Sequence, residues 1–79
     1  MKKDNEYSLD ARRLLCPLPV IRTQDKVKHL KAGDKLIILC SDPGVLHDIP
    51  AWCRINKHKF IESETYNDEI KITIEIGSN

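Results

Sequence analysis

Glu69-Ile70-Lys71-Ile72-Thr73-Ile74-Glu75-Ile76 alternates without a break. In an extended chain the four isoleucines fall on one side and Glu69, Lys71, Thr73 and Glu75 on the other, so residues 69–76 read as a strand with one buried and one wet face. Asn67-Asp68 just before it has the composition of a hairpin turn, and residues 60–65 supply the strand leading into that turn. This part of the chain is an antiparallel hairpin.

Working back, Leu36-Ile37-Ile38-Leu39-Cys40 is the longest apolar run. Leu36, Ile38 and Cys40 oppose Ile37 and Leu39, and a strand apolar on both faces belongs in the middle of a sheet. Residues 7–11 form the first strand, with Tyr7, Leu9 and Ala11 on one face and Ser8 and Asp10 on the other. Between these two strands, residues 17–31 carry Val20, Val27 and Leu30 on one helical stripe, with Thr23 in the gap, and Gly33 gives the stop.

After the central run, Asp42-Pro43-Gly44 is a turn or helix start, and Val45, Ile49, Trp52 and Cys53 follow at helical spacing. Pro50 interrupts that pattern, because it lacks a donor and crowds residue 46. Either the main helix starts near Asp48 as N-cap, or Pro50 sits in the first turns, where the lost donor matters least; a short opening turn followed by a helix to about residue 57 is expected. The order β-α-β-α-β-β with right-handed crossovers puts both helices on one side of a four-stranded mixed sheet. The fold class is a two-layer α/β sandwich of the α+β kind.

At 79 residues the chain is expected to be one domain, spanning residues 1–79. Its 41% hydrophobic and 32% charged residues are those of an ordinary globular protein. No apolar stretch is long enough to span a bilayer, and the first residues lack the pattern of a signal peptide, so a cytoplasmic protein is expected. Residues 1–60 hold twelve Lys or Arg against seven Asp or Glu, while residues 61–79 hold one against five. The body is basic and the hairpin acidic, an asymmetry able to steer an acidic partner onto one surface.

Three cysteines at uneven spacing, Cys16, Cys40 and Cys53, make no disulfide framework. Cys40 ends the central strand in core register, and Cys53 sits on the inner stripe of the second helix as a possible resolving thiol. Cys40, His47, Cys53 and His58 are separated by six, five and four residues, which matches no tight zinc knuckle, so no metal and no cofactor is expected.

Cys16 stands in Leu15-Cys16-Pro17-Leu18-Pro19, at the junction of the first strand and the first helix. Pro17 suits the first helical position, and Pro19 removes a second donor, leaving the amides of Leu18 and Val20 free at the helix entrance. The positive end of the helix favours thiolate over thiol, and Arg12, Arg13 and Arg22 add to that effect. Asp10 is placed to accept hydrogen bonds from amides of the loop. A thiolate of this kind is suited to receiving sulfur as a persulfide and passing it on.

"LDARRLLCPLPVIRT" and "AGDKLIILCSDPGVLHDIPAWCR" resemble the TusA-like (SirA) sulfur-carrier family, with its Cys-Pro-x-Pro motif, its order of elements and its size. The resemblance implies that Cys16 carries a persulfide. It further implies a cysteine desulfurase or rhodanese-like donor and an acceptor protein in tRNA thiolation, molybdenum-cofactor supply or sulfur oxidation. Asp10, Arg13, Pro17 and Pro19 are supporting residues, and Arg13 departs from the family, which usually has glycine there. A monomer without membrane or direct nucleic-acid contact is expected, since the few aromatics are scattered and interleave with no basic run. The alternative from another class is a regulatory interaction module in which Cys16 senses oxidants or merely caps the helix.

Overall fold

The computed structural model describes residues 6–15 and 18–77. Its elements are β1 (Glu6–Ala11), α1 (Leu18–Val27), β2 (Lys35–Cys40), α2 (Val45–Ile55), β3 (Lys59–Tyr66) and β4 (Glu69–Glu75). The strands lie in the order β1-β2-β4-β3, with β1 parallel to β2 and β4 antiparallel to both its neighbours. β2, the run apolar on both faces, is an interior strand as its sequence requires. The result is the four-stranded mixed sheet with two helices that the sequence implies.

Both helices cover one face. Leu36, Ile38 and Cys40 of β2 and Ile70, Ile72 and Ile74 of β4 are buried in one cluster with Val45, Ile49 and Cys53 of α2, while Val20 and Val27 of α1 pack at its margin. Thr23, in the gap of the α1 stripe, is fully buried because its hydroxyl donates to the Pro19 carbonyl at 2.8 Å, leaving no polar group unpaired. The opposite face of the sheet stays open, and Glu6, Asp10, Glu69, Lys71 and Glu75 lie on it.

The hairpin turn has φ of 51° at Asn67 and 65° at Asp68. Two consecutive positive values define a type I′ turn, whose twist matches that of the strands it joins. Strand β3 is exposed along its whole length, and its ladder with β4 shifts register between Phe60 and Glu62. It is the outer strand of the sheet, and α2 is the helix that reaches it.

The two largest departures from the sequence reading are helix boundaries. α1 ends at Val27 rather than residue 31, because Lys28, His29 and Leu30 donate to carbonyls three residues back and tighten the last turn. Gly33, with φ of 94°, instead serves the turn from Lys31 to Asp34, and its amide donates to the Ile76 carbonyl at 2.8 Å. α2 is continuous from Val45, so Asp48 is not its N-cap and Pro50 lies inside the helix. Asp42 makes the start instead: its carboxylate accepts the Gly44 amide, and its carbonyl accepts that of Val45. Val45, Ile49 and Cys53, one turn apart, anchor the helix on both sides of the proline.

α2 closes with Lys57 at φ of 65° and the His58 amide donating to the Cys53 carbonyl at 2.8 Å, a Schellman ending. His58 then accepts the Gly77 amide at Nδ1, 3.0 Å away. Glycine is required at 77, since a Cβ there would lie 1.8 Å from the Lys57 carbonyl oxygen. Burial lowers the His58 pKa, so its folded value lies below its unfolded one. The stability it contributes is complete above the unfolded pKa of 6.5 and is lost as pH falls through the folded value. The urea midpoint of the wild type is therefore expected to drop between neutral pH and about pH 5, and His58→Asn, which keeps an acceptor but does not titrate, should flatten that drop.

Candidate functional site

The C-terminal ends of β1 and β2 and the start of β4 surround a surface basin of about 390 Å3, lined by Asp10, Arg12, Arg13, Ser41 and Glu69. Asp10, the last open-face residue of β1, grips Arg12 two residues on. Its Oδ1 accepts the Arg12 amide at 3.1 Å and Nε at 2.9 Å, and its Oδ2 accepts from the terminal guanidinium nitrogen at 3.0 Å. Arg12 also donates to Glu69 across the sheet at 3.2 Å. This network ties the segment after β1 to the β3–β4 hairpin.

Its electrostatics follow. The Arg12 hydrogen bonds hold Asp10 down at about 2, with the charge of Arg13 contributing, and the two carboxylates raise the Arg12 pKa. Asp10 and Arg12 are exposed, so solvent screens the pair and its worth is modest. Whatever Asp10 contributes is present above its ordinary value of 3.8 and disappears as pH falls toward about 2.

Arg13 follows with φ of 70°, its amide donating to the Ser41 hydroxyl at 3.2 Å. Leu14 turns back onto the core, and Leu15 is 72% exposed. Cys16 and Pro17 lie outside the described residues. Beyond them Leu18 donates its amide to the Leu15 carbonyl at 2.8 Å, so that amide is not free as the sequence reading had it. Pro19 stands second in α1 and is buried. Leu18 and Ile21, one turn apart, are 43% and 46% exposed and continue an apolar ridge from Leu15 along the helix.

The other two thiols are core residues. Cys40 is fully buried and Cys53 is 1% exposed, and burial pushes both up to about 11, with Asp42 adding to the effect at Cys40. That burial argues against a resolving role for Cys53. Trp52 is half-buried, with its ring 4.9 Å from that of His58 and its indole nitrogen buried without a hydrogen-bond partner among the described residues. Among the described residues no His, Cys, Asp and Glu cluster is arranged to hold a metal ion, and no helix is long and apolar enough to cross a membrane.

The structure thus brings two of the sequence-chosen residues, Asp10 and Arg13, to one basin and sets Cys53 apart in the core. It adds two that the sequence reading missed, Ser41 as the anchor of Arg13 and Glu69, and gives Arg12, named there only for its charge, the role of bridge. Only the strand order places Glu69 near β1, so a linear reading carries no signal for it.

The four-stranded mixed sheet with two helices is a fold this chain shares with a SirA-like protein of known structure. The crystal structure of the SirA-like protein from Desulfitobacterium hafniense matches with a TM-score of 0.79, covering 91% of this chain and 99% of that one, at 24% identity, a likeness of fold. Residues 7–76 match the family model for sulfurtransferase TusA, and the chain belongs to that family. Membership implies a sulfur carrier that works with partner proteins.

Proposed function

We propose that this protein, as a single domain, carries sulfur as a persulfide on Cys16, loaded by a cysteine desulfurase or rhodanese-like donor and unloaded to an acceptor protein. The observation that supports this most directly is the state of the other thiols: Cys40 and Cys53 are buried and held protonated, which leaves the thiol in the Cys-Pro-x-Pro segment for the chemistry. Loading is a thiol exchange. The Cys16 thiolate attacks the terminal sulfur of the donor persulfide, a new S–S bond forms at Cys16, and the donor cysteine leaves as thiolate. No net oxidation occurs, so no cofactor is needed.

The exposed ridge of Leu15, Leu18 and Ile21 is the surface on which partners dock. Acceptors in tRNA thiolation, molybdenum-cofactor supply or sulfur oxidation, in the cytoplasm, fit this role. Incubation with a cysteine desulfurase and cysteine is expected to add sulfur to the wild type, removable by reductant and read by intact mass, and none to Cys16→Ser. A wild type that stays unmodified, or a Cys16→Ser variant modified equally, overturns the reading. Partner binding that survives Cys16→Ser without any sulfur loading points to the regulatory module instead.

A further inference from the structure

Arg12 and Arg13 are neighbours in sequence and opposites in use. The guanidinium of Arg12 is committed to Asp10 and Glu69. Arg13 lines the same basin, and its guanidinium has no ion-pair partner among the described residues. Its backbone adopts φ of 70°, which glycine tolerates freely and an L residue only at a cost. The amide bond to Ser41 holds it there. The loop thus maintains, against a backbone penalty, a guanidinium that acts on Asp10 only through its charge and has no ion pair among the described residues, three positions before Cys16 in the chain.

Asp10, Arg12, Arg13 and Glu69 balance to no net charge, so the basin does not attract small anions in general. A carboxylate must be delivered by a docked surface, and the planar guanidinium then grips it by paired, short-range hydrogen bonds. The donor is the partner that meets the carrier with no sulfur yet attached to mark it, so its recognition depends on the carrier's own surface. We infer that Arg13 is a specificity-determining residue that receives an aspartate or glutamate side chain of the sulfur donor as it docks over this basin. This rests on Cys16 being the sulfur-bearing residue.

The test compares wild type, Arg13→Gly, Arg13→Ala, Arg13→Lys and Arg13→Glu in two loading reactions, one driven by a cysteine desulfurase with cysteine and one by inorganic polysulfide. With the desulfurase, the second-order loading rate should fall by about tenfold in Arg13→Gly and Arg13→Ala and further in Arg13→Glu, with partial recovery in Arg13→Lys. Polysulfide, which needs no docked carboxylate, should load the series within about threefold, the small spread following the charge of residue 13 near the thiolate. Arg13→Gly should also melt a few degrees above Arg13→Ala, since glycine relieves the backbone, which separates a structural effect from recognition. Desulfurase rates equal across the series, or polysulfide rates falling in parallel with them, overturn the inference while leaving the carrier reading intact. Failure of both reagents to load the wild type overturns the carrier reading itself.

Discussion

Brief alkylation of the native protein near neutral pH is expected to modify one thiol, Cys16, and Cys16→Ser is expected to take up no label over the same interval. Raising a thiol from its ordinary 9.0 to about 11, as burial does at Cys40 and Cys53, cuts the thiolate fraction about a hundredfold. Packing removes access as well, since both side chains lie in the core. A thiol at the positive end of a helix has its pKa displaced the other way. Denaturation should release the remaining two thiols to the reagent. Mass spectrometry of the native reaction checks this, and equal labelling of two or three cysteines would remove the argument that assigns the chemistry to Cys16.

The largest effect on stability is expected at Ile38. It lies at the centre of β2 between Leu9 and Ile72, and its side chain is fully buried. Ile38→Ala removes three carbons from a site walled by the sheet and both helices, where little can collapse into the gap, so a loss of about 3 to 4 kcal/mol is expected. A domain of this length has on the order of 4 to 12 kcal/mol in all, so the variant should unfold well below the wild type in urea, or fail to show a folded baseline. Ile55→Ala, at a residue 76% exposed, should change the midpoint by less than about 0.5 kcal/mol. Similar losses at both positions would mean that the core is not where these contacts place it.

Elements governed by local rules were legible in the sequence. The isoleucine alternation of β4, the two-sided apolar run of β2 and the Asn67-Asp68 turn each state their structure within a few residues, because strand periodicity and positive φ are local properties. Boundaries set by competition were not. Pro50 argues locally for a late start to α2, but the buried triad of Val45, Ile49 and Cys53 outweighs the hydrogen bond it forfeits. The end of α1 depends on how Gly33 and Asp34 pair with Ile76, a contact that forms only when β4 is in place.

The candidate site divides in the same way. Asp10 and Arg13 were visible because they flank a recognisable motif. Glu69 is 57 residues from Arg12 in the chain, and their contact exists only because β4 is inserted beside β2. The different use of the two guanidinium groups, only one of them in an ion pair among the described residues, is equally invisible in one dimension, where two adjacent arginines look alike.

The exposed outer strand bears on how the molecule meets its own copies. The outer edge of β3 offers backbone groups open to pairing with a second chain, the usual route to aggregation. The register shift at Ile61 breaks the regular spacing such a pairing needs, and Glu62 and Glu64 set carboxylates against carboxylates when two of these edges meet antiparallel. β3 is therefore a poor template for itself. For a member of a family of sulfur carriers that work with partner proteins, an outer strand that repels its own copy keeps self-pairing from competing with those partners.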